Sequence, residues 1–179
     1  SNDPLLGLFS DLMAMAIERR KEEDSLRETH ERIHDRFTGA ITALCQVSEL
    51  RDVSTSGHQK NVSVLAEGLA NEMQLPEEVR MGVRYAGLVH DLGKLYIPAE
   101  ILGKPSRLSE AEYELVKKHP EFGHDILSLL NFPWPLAEIV LQHHERVDGT
   151  GYPYSLKRKD IRIEARILSV ADAFEAMTS

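Results

Sequence analysis

Cysteine is nearly missing from this 179-residue chain: Cys45 stands alone. No internal disulfide can form, and a reducing compartment, the cytoplasm, is expected. Because Cys45 lies within an apolar periodic stretch, a packed thiol is expected rather than a reactive one. Positive charge is also in deficit. Lys and Arg number 21 against 29 Asp and Glu, for a formal net charge of −8. That balance argues against a sequence-independent grip on polymeric nucleic acid, which needs a basic surface. A small phosphorylated ligand stays open, since bound divalent cations can reverse the potential inside an acidic protein. No apolar run approaches the roughly 18 residues of a membrane span, and no segment has the pattern of a signal peptide. No window alternates apolar and polar residues for long, so the expected fold is all-α.

What is present is helical periodicity. Residues 4 to about 50 are good helix formers broken only by Gly7 and Gly39. A seven-residue frame places Leu5, Leu12, Arg19, Leu26, Ile33, Ala40 and Val47 on one seam. Phe9, Ala16, Glu23, His30, Phe37 and Leu44 fall on its companion. The pattern predicts a parallel homodimer through residues 5–47, weakest where Arg19, Glu23 and His30 interrupt it. One helix folded back on its own domain is the alternative. His30 and His34, at i and i+4, are expected to lie on a solvated face.

From Arg51 onward the texture changes. Gly57 to Met73 is amphipathic, and Pro76 opens a helix that runs to His90-Asp91, with Gly93 marking its end. A loop through Ile97-Pro98 follows. Ser109 and Glu112 form a capping box. Pro120 interrupts near His119, and a helix covers Phe122 to Leu130. Pro133 and Pro135 bracket a turn before a helix carrying Leu136, Ile139, Val140 and His143. Residues 146–160 read as a loop, and Ile163 to Phe174 returns to helical period. One domain with a proper core, plus an accessory element, fits this length.

Five of the eight histidines, His58, His90, His119, His143 and His144, fall at helix ends or in adjoining loops. Asp91 follows His90 directly, and Asp172 sits among small residues on the closing helix. Imidazole with carboxylate favours iron, manganese or zinc, and the lack of cysteine ligands weakens a structural zinc. Neighbours on a regular helix point about 100° apart. His143 and His144 therefore either flank a pair of metals or sit at a frayed helix end. Asp91 has two oxygens with which to bridge. Glu145 reads either as a group orienting a ligand histidine or as a solvated carboxylate. His124 reads as structural, and Lys157, Arg158 and Lys159 as a solvated basic run near the pocket.

His90-Asp91 with Gly93-Lys94, and His143-His144-Glu145 followed by Asp148-Gly149-Thr150-Gly151-Tyr152-Pro153, closely resemble the HD-GYP subclass of the HD phosphohydrolase superfamily. Supporting matches run in the same order over residues 49–179: Arg51-Asp52, Thr55 and Gly57-His58; Ile101 to Pro105; Lys118-His119-Pro120; and Val170 to Ala173.

The resemblance implies an HD-type helical bundle over residues 51–179. It is preceded over 1–50 by a signalling helix, whose Leu5–Arg20 stretch is similar to the end of a GAF sensory domain. The implied activity is hydrolysis of cyclic di-GMP to pGpG, and in some members on to GMP, by a metal-bridged hydroxide. A catalytically weak module that binds a cyclic dinucleotide or a partner is the other reading. On the family's pattern, His58, His90, Asp91 and Asp172 hold one divalent metal, iron or manganese. Asp91 bridges to a second metal held by His119, His143 and His144. Lys94 meets the scissile phosphate. Gly151, Tyr152 and Pro153 shape the substrate pocket, and the same loop is a candidate contact for a diguanylate cyclase. Some members hold a third metal with a glutamate where this chain has Ser54, so two metals are expected. Members of the family also tend to continue with a basic, Tyr-containing stretch beyond the position of Ser179.

Overall fold

The computed structural model describes residues 4–49 and 57–178. Arg51, Asp52, Ser54 and Thr55 lie outside the described residues, and so do the side chains of His30 and His34. Two compact units divide within the first helix, after Ala40. The first unit is the bulk of α1 (Pro4–Glu49). Its described side chains are almost all exposed, including Phe9, Leu12, Leu26 and Ile33. Two of the polar residues that interrupt the seam satisfy each other within the chain: Arg19 Nε donates to Glu23 at 2.8 Å. Among the described residues no helix is long and apolar enough to cross a membrane.

The second unit holds the remaining helices: α2 (His58–Glu72), α3 (Glu77–Val89), α4 (Ala99–Leu102), α5 (Glu110–Val116), α6 (His119–Ser128), α7 (Leu136–Gln142) and α8 (Ile163–Thr178). The all-α expectation holds. Among the described residues there is no strand, only an isolated bridge between Asp148 and Lys157. α2 packs on α3 and α8, while α6 packs on α7. Small residues set the α2–α3 approach: a Cβ on Gly87 would lie 2.6 Å from the Ser63 Cα. Val62, Ala66, Val83, Ala86, Ile139, Val140, Leu168 and Ala171 fill the core between these helices. Each fully buried Val, Leu or Ile side chain among these contributes about 1.5–3 kcal/mol. Cys45 is buried, and its thiol donates to the Leu88 carbonyl, so the packed reading was sound.

Three local readings change. α3 ends at Val89, earlier than Gly93, and the chain tightens into a 3₁₀ helix over Leu92–Tyr96. Gly93 is needed for proximity: a Cβ there would stand 1.9 Å from the His119 carbonyl oxygen. The stretch read as a loop around Pro98 instead contains the single turn α4, which follows Pro98 at its N-cap. Pro120 does not interrupt a helix but starts one, in the first turn of α6, where its missing N–H costs nothing. The capping box is present as expected, with Glu112 N donating to Ser109 Oγ and Ser109 N donating to Glu112.

Candidate metal centre

Helix ends deliver the histidines. His90 is the C-cap of α3, His119 the first residue of α6, His143 the C-cap of α7, and His58 the first residue of α2. Leaving the helix lets His143 and His144 turn to one place, with ring centroids 4.0 Å apart. Of the two readings of that pair, the helix-end one describes the geometry.

Two groups of donors result. One atom from each of His58, His90 and Asp172 lies within 4.8 Å of the others, and the same holds for His119, His143 and His144. Asp91 stands between the groups. Its Oδ2 is 3.4 Å from His90 Nε2 and its Oδ1 is 3.5 Å from His119 Nε2. All seven ligand candidates are thus brought together. Lys94 joins them, its ammonium 2.7 Å from Asp91 Oδ2.

The imidazoles are held in one orientation. Nδ1 of His90, His119 and His143 lies 2.9, 2.8 and 2.5 Å from the carbonyls of Gly87, Val116 and Val140. A carbonyl can only accept, so each Nδ1 carries the proton and each Nε2 turns a lone pair inward. His90 Nε2 is buried without a hydrogen-bond partner. His119 and His143 face each other Nε2 to Nε2 at 3.3 Å.

Burial pushes the imidazoles of His119 and His144 down, and that of His143 to about 3; neighbouring histidines add to the effect for His143 and His144, and Lys94 then His90 for His119. His58 runs the other way. Its hydrogen bond to Asp172 outweighs burial and raises it to about 9. Burial alone would raise the Asp91 carboxyl, but His90, Lys94 and His119 together hold it well below the usual carboxylate range. The imidazoles of His119, His143 and His144, pushed toward the neutral form, stand beside a carboxylate held ionised, a donor set that fits divalent cations.

Two carboxylates outside the expected set support the centre. Glu175, one turn beyond Asp172 on α8, meets His58 Nδ1 and accepts from Asn61 Nδ2 at 3.0 Å. It is buried, and sequence reading missed it; its spacing of three from Asp172 on one helix face was the available signal. Glu145 is buried too, so it is not a solvated carboxylate. It anchors backbone rather than a histidine, accepting from the N–H groups of Tyr154 at 2.6 Å and Leu156 at 2.8 Å.

Those bonds fold the 148–156 segment back on the centre. Asp148 Oδ1 accepts from Thr150 N and Oγ1, and Tyr152 N donates to the His144 carbonyl at 3.2 Å. Gly151 has no room for a side chain, because a Cβ would lie 2.3 Å from Arg146 N. Tyr152 then sets its ring 4.8 Å from the His144 ring, centroid to centroid. Burial, with Tyr113 next in effect, pushes its phenol up. Pro153 follows through a cis peptide bond. His124 lies outside both donor groups, beside Asp125 and Ser128. Lys157, Arg158 and Lys159 line a groove with Val147 and Arg166 whose walls contain none of the ligand candidates.

The arrangement matches known proteins. The profile described as HD domain covers residues 17–179. The chain belongs to the HD domain family, in its HD-GYP form. It is 40% identical over 159 residues to a cyclic di-GMP phosphodiesterase of Thermotoga maritima, covering 88% of this chain and 43% of that protein. Identity to the cyclic di-GMP phosphodiesterase response regulator RpfG of Xanthomonas campestris is 37%, covering 88% and 42%. A 3'3'-cGAMP-specific phosphodiesterase 3 of Vibrio cholerae is 33% identical, covering 96% and 37%. The chain therefore spans less than half the length of these relatives. Among solved structures, the HDG"Y"P protein Bd1817 of Bdellovibrio bacteriovorus superimposes with a TM-score of 0.59 at 28% identity, over 69% of this chain and 40% of that one.

Proposed function

We propose that this chain hydrolyses cyclic di-GMP, opening the ring to pGpG, with two divalent metal ions, iron or manganese; product identification tells whether GMP follows. The observation that carries the reading is Asp91 standing between two donor groups, one carboxylate oxygen toward each. His58, His90, Asp91 and Asp172 would hold one ion; Asp91, His119, His143 and His144 would hold the other. When bound, such a pair polarises a phosphoryl oxygen and lowers the pKa of a bound water.

The chain's own residues supply the rest. Backbone carbonyls fix the Nδ1 protons of three ligand histidines, and Glu175 orients His58. Lys94 brings a cation to the side of Asp91, where it meets the charge that builds on phosphate oxygens in the transition state. Tyr152 offers an aromatic surface next to His144, and Gly151 with Pro153 sets its position. Relatives named as cyclic di-GMP phosphodiesterases support this choice of substrate.

The exposed apolar residues of α1 support a parallel homodimer through residues 5–47, with residues 1–50 relaying a signal to the hydrolase over 51–179. Leu12, Leu26, Ile33 and Val47 share one seam and are 57%, 71%, 62% and 49% exposed. The exposed edge of the 148–154 loop is the surface we assign to a diguanylate cyclase.

The test is anaerobic purification, incubation with cyclic di-GMP and identification of the product. Replacing His90 and Asp91 together with alanine abolishes turnover on this reading; undiminished hydrolysis by that variant sinks it. Ligand bound without product by the metal-loaded chain favours the binding module instead.

A further inference from the structure

At the rim of the His119–His143–His144 group lies a cluster that the hydrolytic reading leaves without a role. Lys117, the C-cap of α5, extends its ammonium over two rings, 5.5 Å from the centroid of Tyr113 and 5.9 Å from that of Tyr152. Tyr152 in turn lies against His144. The same ammonium pairs with Glu114 Oε1 at 2.5 Å. Moving outward from the donor group, one meets an aromatic ring, a cation, and then a second ring beside a carboxylate. Tyr113 is 52% exposed and the Glu114 side chain 65% exposed, whereas that of Lys117 is 26% exposed, so the cation is held and its partners face solvent.

A purine needs two things from such a wall: a flat face to stack on, and groups that match its edge. An exposed tyrosine supplies the face, and stacking of a base on an aromatic ring is worth about 1–3 kcal/mol. The edge chemistry is more selective. The pairing edge of guanine offers an acceptor, O6, beside two donors, N1–H and the N2 amino group. An ammonium next to a carboxylate is the complement of that edge. Adenine in the same place puts its N6 amino donor against the ammonium and its bare N1 acceptor against the carboxylate, so both contacts turn repulsive.

We infer that Tyr113, Glu114 and Lys117 form a guanine-reading wall: Tyr113 stacks on one base of the cyclic dinucleotide, Lys117 donates to O6, and Glu114 accepts from N1–H and N2–H. This inference rests on the site taking a cyclic dinucleotide. The substrates named for the relatives, cyclic di-GMP and 3'3'-cGAMP, each carry at least one guanine, the base that such a wall takes. None of the three residues belongs to the donor groups, so the wall would set which base is held while the metal ligands act on the phosphate.

The experiment measures binding of phosphorothioate analogues of cyclic di-GMP and cyclic di-AMP, which resist cleavage, to the manganese-loaded chain by titration calorimetry. The unaltered protein prefers the guanine ligand by about tenfold or more, the range expected of a two-point edge contact. Glu114→Ala and Lys117→Met each bring that preference close to parity, chiefly by weakening the guanine ligand, and Lys117→Arg restores it. Preference unchanged in both variants overturns the inference, as does an unaltered protein that binds the two ligands equally or neither. Hydrolysis of unmodified cyclic di-GMP is followed separately. Guanine preference that depends on these residues, without any product, would sink the phosphodiesterase reading and leave the wall standing.

Discussion

His119 and His143 present Nε2 to Nε2 at 3.3 Å inside the protein, while the Nδ1 of each is committed to a backbone carbonyl. Neither ring can donate to the other without giving up that backbone bond. Two lone pairs therefore converge on a space shared with His144 and Asp91, and a cation is the species that satisfies them together.

Glu175→Gln removes the charge that meets His58 Nδ1 while keeping the shape. Loss of a partner that orients a ligand histidine lowers metal affinity by about 10–100-fold. Competition with a fluorescent chelator measures it. The effect falls on one of two ions, so a titration of the variant resolves a weakened step beside an unaltered one.

Glu145→Ala strips the acceptor from Tyr154 N and Leu156 N. Losing two part-buried hydrogen bonds to a charged acceptor costs about 1–3 kcal/mol. Urea unfolding of the metal-loaded protein shows a loss of that order. KM for cyclic di-GMP rises more than kcat falls, because the loop carrying Tyr152 loses its anchor.

Gly151→Ala places a methyl group 2.3 Å from Arg146 N and 2.5 Å from the His144 carbonyl oxygen, both backbone atoms that cannot swing aside. Overpacking of this kind costs about 1–3 kcal/mol. Thermal unfolding registers the loss, and relief of the clash moves Tyr152 away from His144. Retained stability and an unchanged KM would contradict the packing of this loop.

The metal-free protein is expected to be most stable near pH 6.5, where the losses on the acid and alkaline sides meet. His58 has a folded pKa raised from 6.5 to about 9, so its contribution is full below 6.5 and is lost as pH rises through about 9. His119, His143 and His144 have lowered folded values, so unfolded chains take up protons that the fold refuses and stability falls as pH drops below 6.5. Asp91 and Asp172, both held low, add to the loss at acid pH. Urea midpoints of chelator-treated protein from pH 4 to 9 trace the curve, and added metal flattens its alkaline side because it displaces the His58 proton.

Local features were legible in the sequence. Ser109 and Glu112 cap α5 because both partners lie within one turn. The angle between neighbours on a helix left His143-His144 two readings, flanking a pair of metals or sitting at a helix end, and the structure has the second. Glu175 was harder to read because its partner His58 is 117 residues away in sequence; only its spacing of three from Asp172 placed it on the face that α8 turns to the centre. Gly93 resembles a helix terminator because glycine often is one. Its real constraint, the carbonyl of His119 pressed against it, comes from a helix 26 residues further on. Tyr113, Glu114 and Lys117 have the pattern of an ordinary exposed helix face, since only Tyr152 folding back from its loop turns Lys117 into part of a rim.

Metal content with and without Asp91 tests the central claim most directly. The anaerobically purified chain carries about two ions, as expected of a carboxylate-bridged pair. Asp91→Ala leaves it folded by circular dichroism but reduces both occupancies, because that residue faces both donor groups. Metal content undiminished in Asp91→Ala, or a single ion in the unaltered chain under saturating iron or manganese, would contradict the account.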